Sequence, residues 1–137
     1  STAESCTGGY IAHLITSIAG SSDYYTGSVV SYANHIKERE LGVNKEYLEK
    51  HGAVSETIVR QMAEGVKKKY KTDYAIATSG IAGPAGGTKE KPVGTVWIGI
   101  ATPEKTLSQK FKFGNSGERN IRLTAVYALN MLRKEIK

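Results

Sequence analysis

Residues 55–78 read SETIVRQMAEGVKKKYKTDYAIAT, and this stretch decides the fold class. Its opening serine is a favourable N-cap, and Ile58, Met62 and Val66 recur on one face of the helix that follows. The run Tyr74–Thr78 is short and mostly apolar, which is typical of a strand buried on both faces. A helix that leads into such a strand predicts an α/β domain, in which helices pack against a sheet.

The rest of the chain continues this alternation of helices and strands. A loop over Gly80–Gly94, with five glycines and two prolines, separates two of the strands. We expect one domain over residues 1–137, a length that fits a single hydrophobic core. Apolar spacing predicts further helices over Gly9–Ala19, His35–Leu41, Lys45–Lys50 and Gly117–Ile136, and further strands over Gly27–Tyr32, Thr95–Ala101 and Thr106–Phe113.

Composition places the chain among ordinary globular proteins. Hydrophobic residues make up 39% and charged residues 23%, which is too apolar for a disordered chain. No apolar run reaches the roughly 20 residues that a membrane span needs, and the first residues do not have a signal-peptide pattern. The single cysteine, Cys6, excludes an internal disulfide and favours a cytoplasmic protein.

The excess of basic residues is compatible with an anionic partner. Lysine and arginine number 19 against 13 acidic residues, for a net charge of +6. Nucleic acid, a membrane surface and a phosphorylated small molecule all fit this charge. The densest basic run, within residues 67–71, ends a predicted helix, where cations favour the negative end of the helix dipole. No nucleic-acid-binding motif accompanies it, so a basic nucleic-acid-binding domain stays only as an alternative.

Two loops combine glycine with hydroxyl side chains. Glu4–Gly9 precedes the first predicted helix, and Ser79–Thr88 follows the strand at Tyr74–Thr78. Neither matches the P-loop or the dinucleotide-binding glycine pattern. Ordinary turn chemistry and a cradle for a phosphate or an oxyanion both remain open. Because almost no strand precedes the first loop, the start of the domain looks truncated.

The first loop holds three candidate nucleophiles: Ser5, Cys6 and Thr7. A hydroxyl nucleophile needs a base, and none of the three histidines has a carboxylate orienter by spacing. Lys37 could act as the base of a Ser–Lys pair if burial lowers its pKa, although the sequence alone favours an exposed helix lysine. No cluster has the spacing of metal ligands, so we expect neither a metal nor a cofactor.

Four motifs in chain order resemble the CinA C-terminal domain family, which includes bacterial nicotinamide-nucleotide amidase. The resemblance covers essentially the whole chain. Its motifs are Ala3–Gly9, Ser31–Asn34 with Lys37, Gly52–Ser55, and Ser79–Pro84 continuing through Glu90–Val96.

The resemblance implies a three-layer α/β/α fold and a Ser–Lys dyad that hydrolyses the carboxamide of nicotinamide mononucleotide. Ser5 would be the nucleophile and Lys37 its general base, with Tyr32 beside them. Backbone N–H groups in the Thr7–Gly9 or Ser79–Gly80 turns would stabilise the oxyanion.

The resemblance also suggests how the substrate is held. Arg119 or Arg122 would bind the phosphate through its guanidinium, although both could equally lie on an exposed helix turn. A homodimer, and an N-terminal CinA partner domain in a longer parent chain, are compatible with the family. The alternative is a competence- or damage-inducible nucleotide-binding module with little or no catalysis. The expected substrate-binding residues are Thr7, Gly8, Gly9, Asn34, Ser79, Gly80, Gly83, Gly86, Gly87, Arg119 and Arg122.

Overall fold

The computed structural model describes residues 1–136, which form five strands and five α-helices. The strands are β1 (Thr2–Glu4), β2 (Ser28–Val30), β3 (Ala75–Gly80), β4 (Thr95–Ala101) and β5 (Thr106–Lys112). The helices are α1 (Tyr10–Thr16), α2 (Asn34–Leu41), α3 (Lys45–His51), α4 (Glu56–Tyr70) and α5 (Gly117–Glu135), with a short 3₁₀ turn at Ser21–Asp23.

The five strands form one mixed sheet in the order β2-β1-β3-β4-β5. The short β1 pairs in parallel with β2 on one side and with β3 on the other, with Ala3 opposite Val29 and Ala77. Strands β4 and β5 continue the sheet in antiparallel pairs. The carboxyl ends of β1, β2 and β3 therefore meet at one edge of the sheet.

Helices cover both faces of the sheet, as the three-layer α/β/α prediction requires. Alternating side chains of β4 show the division: Trp97 packs with α4, whereas Ile98 packs with α1 and α5. On the first face α4 buries Ile58, Met62 and Val66, the three residues that the sequence placed on one helix face. Within residues 1–136 no helix is long and apolar enough to cross a membrane.

Most predicted elements lie where the sequence placed them, and one differs in a way that affects the site. Residues Thr2–Glu4 form the short strand β1, which pairs on both sides. Strand β3 runs on to Gly80, so the prediction of a turn at Ser79–Gly80 was wrong: both residues lie in the ladder with β4.

The connections after β1 and β2 leave the sheet on opposite faces. Helix α1, after β1, packs with α5, whereas α2, after β2, packs on α4. In open α/β sheets, neighbouring parallel strands whose connections diverge in this way leave a crevice at their carboxyl ends, where ligands bind. Ser5 follows β1 and Ser31 follows β2, so both lie at this crevice.

Candidate active site

The side chains of Ser5 and Lys37 meet at this crevice. Lys37 Nζ lies 3.1 Å from Ser5 Oγ, within hydrogen-bonding distance. The same nitrogen donates to the carbonyl oxygens of Ser31, at 2.8 Å, and Tyr32, at 3.0 Å. The lysine is 1% exposed, and no acidic side chain of residues 1–136 forms a salt bridge with it.

The local fold explains how these two side chains come together. Strand alternation turns Ala3 towards α4, Glu4 towards α1 and Ser5 back towards the side of α2. Three residues separate β2 from helix α2, which carries Lys37 in its first turn, and the lysine side chain reaches back to the carbonyl groups that follow β2. The pair therefore depends on the positions of β1, β2 and α2.

The contacts of Lys37 fit a neutral amine that acts as a base. Burial is the main cause that lowers its pKa from the ordinary value of 10.5, because desolvation disfavours the charged form. A neutral amine has two N–H donors and one lone pair. The carbonyls of Ser31 and Tyr32 can accept the two N–H groups, which leaves the lone pair to accept the proton of Ser5.

The structure distinguishes the three candidate nucleophiles. Thr7 is buried, and its hydroxyl donates to Glu4 Oε1 at 2.7 Å, so it is held away from Lys37. Burial raises the pKa of the Cys6 thiol to about 12, which keeps it protonated at neutral pH. Of the three, only Ser5 has its side-chain oxygen against the amine of Lys37.

The turn that follows Ser5 presents backbone N–H groups. The N–H of Gly8 donates to the carbonyl of Ser5 at 3.0 Å, which closes the turn. The N–H groups of Thr7 and Gly9 have no acceptor within residues 1–136. Gly8 and Gly9 have φ values of 59° and 101°, a region that favours glycine. Of the expected binding residues Thr7, Gly8 and Gly9, two therefore have free donors beside the serine.

Tyr32 and Asn34 lie on either side of the start of α2. Tyr32 contributes its backbone carbonyl to Lys37, while its side chain is 75% exposed. Asn34 is the first residue of α2 and its side chain is exposed. The structure thus brings Tyr32 to Lys37 through the main chain rather than through its hydroxyl.

The second glycine loop begins beside the Ser5–Lys37 pair and then leads away from it. The N–H of Ser5 donates to the carbonyl of Thr78 near the end of β3, at 3.1 Å. Ser79, the next residue, is buried and donates its hydroxyl to the carbonyl of Ala53 at 2.8 Å. Gly80 has no room for a side chain, because a Cβ there would contact Val96.

Three further glycines of this loop have packing or turn roles. A Cβ at Gly83 or Gly87 would overlap Val93, so both positions are packed closely against that residue. Gly86 is exposed with a φ of 98°. The far part of the loop contacts the end of α3, where Lys91 Nζ donates a hydrogen bond to the carbonyl of His51 at 2.6 Å.

The two candidate phosphate-binding arginines lie in the first turns of α5, on its exposed side. Arg122 forms an ion pair with Glu118 at 3.0 Å. Arg119 has no acidic partner within residues 1–136. The start of α5 packs on the glycine loop, since a Cβ at Gly117 would overlap the carbonyl of Gly83. Arg119 is therefore the arginine that remains available to a ligand near this loop.

Two other features help to delimit the site. An apolar cleft of about 670 Å³ lies at the opposite end of β1 and β3, between α1 and α5, and none of the predicted site residues lines it. No group of three or more potential metal ligands occurs among residues 1–136.

Sequence reasoning assigned no role to Glu4, which the structure places directly behind the Ser5 turn. Its carboxylate is completely buried and accepts the N–H groups of Ile11 and Ala12, each at 2.9 Å. In the sequence Glu4 is simply the first residue of the loop Glu4–Gly9, and no spacing to another residue type distinguishes it.

Fold and site together define an α/β/α protein with a buried serine–lysine pair at the carboxyl edge of its parallel strands. A protein-family model described as the CinA C-terminal domain matches residues 1–136. The chain belongs to this family.

Relatives and solved structures agree with this assignment. CinA-like proteins of Cytophaga hutchinsonii and Trichormus variabilis are 54% and 50% identical, each over 99% of this chain. The matches cover 32% and 33% of those relatives, so the chain spans about a third of their length.

Two solved structures share the fold closely. The competence/damage inducible protein CihA of Agrobacterium tumefaciens has a TM-score of 0.95 and 41% identity, over 97% of this chain and 82% of its own. A CinA superfamily protein of Escherichia coli has a TM-score of 0.94 and 31% identity, over 98% and 78% of the two chains.

Proposed function

We propose that this protein is an amidohydrolase that converts nicotinamide mononucleotide and water into nicotinate mononucleotide and ammonia. The observation that carries the proposal is the 3.1 Å contact between Ser5 Oγ and the buried Lys37 Nζ. A buried lysine without a carboxylate partner has its pKa lowered by desolvation, and its neutral form can take a proton from a hydroxyl. Such a pair is suited to acyl transfer at a carboxamide.

In the first step, Ser5 Oγ attacks the carboxamide carbon while Lys37 takes the hydroxyl proton. A C–O bond forms, and the carbonyl oxygen becomes an oxyanion. The N–H groups of Thr7 and Gly9 are the proposed donors to this oxyanion, because they are otherwise unused and belong to the turn that carries Ser5. Donors fixed in advance stabilise developing charge without reorganisation.

In the second step, the Lys37 ammonium returns its proton to the amide nitrogen, the C–N bond breaks and ammonia leaves. Three acceptors, namely Ser5 Oγ and the Ser31 and Tyr32 carbonyls, match the three N–H groups of the transient ammonium. Water then attacks the ester on Ser5, with Lys37 again as the base, and regenerates the hydroxyl. The balance is one water consumed and one ammonia released.

The rest of the substrate would lie along the crevice towards the second glycine loop and the start of α5. Arg119 is the proposed phosphate ligand, since Arg122 is already paired with Glu118. One guanidinium is enough for one phosphate, so the remaining positive charge of the protein can lie on its surface.

Release of ammonia from nicotinamide mononucleotide by purified protein tests the proposal. The wild type and Ser22→Ala, which changes an exposed serine away from the site, should both turn over, while Ser5→Ala should not. Binding of the nucleotide without ammonia release in all three proteins would favour a nucleotide-binding module instead. Steeply salt-dependent binding to random duplex, with no turnover, would favour a nucleic-acid-binding domain.

A further inference from the structure

Glu4 is a completely buried carboxylate next to the nucleophile. Its two oxygens accept four hydrogen bonds. Two come from the N–H groups of Ile11 and Ala12 in the first turn of α1, at 2.9 Å. The others come from the hydroxyls of Thr2, at 3.2 Å, and Thr7, at 2.7 Å.

This arrangement is unusual because no cation within residues 1–136 forms a salt bridge with Glu4. A buried carboxylate is costly unless its surroundings supply hydrogen bonds or opposite charge. Here the donors are hydroxyls and the N–H groups at the positive end of a helix. An apolar residue would fill the same volume at less cost in desolvation, so burial alone does not account for an acid at this position.

The hydrogen bonds of Glu4 lead to the turn that carries Ser5. Thr7 donates its only hydroxyl proton to Glu4, so Thr78 must be the donor in the 2.9 Å contact between the two threonine hydroxyls. The Thr78 carbonyl in turn accepts the N–H of Ser5 at 3.1 Å. Glu4, Thr7 and Thr78 thus fix the turn to β3 on one side and to α1 on the other.

We propose that Glu4 is the positioning residue of this site. Acting through the Thr7 hydroxyl, it holds the Ser5–Gly9 turn so that Ser5 Oγ stays against Lys37 and the free N–H groups of Thr7 and Gly9 face the oxyanion. The inference rests on the proposed amidohydrolase function. It adds to that function a part for a buried acid that does not touch the substrate.

Thr7 and Thr2 offer a matched pair of variants. Both threonines are buried and each donates one hydrogen bond to Glu4, but only Thr7 belongs to the nucleophile turn. Thr7→Val keeps the shape and the backbone N–H while removing the link to the turn. We expect it to lower kcat about 10²-fold with little change in KM, the size of effect seen when catalytic groups move by about 1 Å or one oxyanion donor is lost.

Three controls separate positioning from general destabilisation. Thr2→Val, on the far side of the carboxylate, should keep kcat within about threefold of the wild type, whatever its thermal stability. Thr7→Ser should restore most of kcat because it restores the hydroxyl. The pH profile of Thr7→Val should keep the wild-type midpoint, because the contacts of Lys37 with Ser31 and Tyr32 are unchanged.

A fluorophosphonate, which labels activated serines, makes the test independent of substrate. We expect Thr7→Val to slow labelling of Ser5 by a similar factor and Thr2→Val to leave it unchanged. Equal loss in Thr7→Val and Thr2→Val, or full activity in Thr7→Val, would overturn the role of Glu4. If the wild type is labelled at Ser5 but releases no ammonia, the proposed substrate is wrong and the labelling rates still decide the role of Glu4. An unlabelled and inactive wild type overturns both.

Discussion

Replacing Lys37 by methionine is the most informative single change, because it removes the amine while nearly preserving the length of the side chain. In the folded protein Lys37 Nζ contacts Ser5 Oγ at 3.1 Å and two carbonyl oxygens at 2.8 and 3.0 Å. No other basic side chain of residues 1–136 forms a hydrogen bond with Ser5 Oγ. The variant therefore leaves the serine in place without a base.

The expected loss of activity follows from the role of a general base. Positioned general bases contribute about 10²- to 10⁴-fold, so Lys37→Met should lower kcat/KM by that factor. At about 1.4 kcal/mol for each factor of ten, this corresponds to roughly 3–5 kcal/mol of transition-state stabilisation. Stability should change far less, because two carbonyls lose a donor while the cost of burying an amine disappears.

Ammonia release and thermal unfolding, measured on the same preparation, separate these two effects. Lys37→Arg serves as the control that keeps N–H donors but has no lone pair to act as a base, since a guanidinium does not deprotonate in proteins. We expect both variants to fold and both to lose kcat/KM by about this factor. A folded Lys37→Met protein that keeps kcat/KM within tenfold of the wild type would refute the assignment of Lys37 as the base.

Three further predictions concern Lys37, Cys6 and the helix that positions Lys37. First, kcat/KM should rise with pH and level off above an apparent pKa below 10.5, because burial lowers the pKa of Lys37 and the neutral amine is the active form. The folded state should also become more stable between this lowered pKa and 10.5, because there the unfolded chain still binds the proton that the folded protein has lost. A kcat/KM that falls as pH rises would contradict the assignment of a neutral Lys37 as the active form. Second, Cys6→Ala should remain active and the Cys6 thiol should react slowly with iodoacetamide at pH 8, because its pKa is raised to about 12; rapid alkylation or an inactive variant would show that the thiol takes part. Third, Gly65→Ala should lower both the melting temperature and the activity, because its Cβ would overlap the carbonyl of Leu41 and push away α2, which carries Lys37. The control Gly114→Ala, where the added Cβ has open space, should have little effect on either quantity.

Much of the fold could be predicted from the sequence because the signals were local. The helical spacing of Ile58, Met62 and Val66 and the apolar run after Tyr74 correspond to α4 and β3. The extension of β3 to Gly80 could not be predicted in this way. Glycine and serine favour turns, but here pairing with β4 keeps both residues extended, which is a tertiary effect.

The candidate site was less visible, because its properties depend on burial. Lys37 on its own predicts an exposed helix lysine, and only the tertiary packing, in which α2 lies on α4, leaves it 1% exposed beside Ser5. Residue type and spacing likewise gave no reason to single out Glu4, whose partners come from β1, the nucleophile turn and α1. The motif resemblance pointed to Ser5 and Lys37 as a pair, which sequence spacing alone left open.

The central claim is that Lys37 activates Ser5, and the rate at which a fluorophosphonate modifies Ser5 measures this most directly. Peptide mapping of the wild type should find the label on Ser5, and labelling of Lys37→Met should be about a hundredfold slower or more. A label on another residue, or equal rates in the two proteins, would contradict the account.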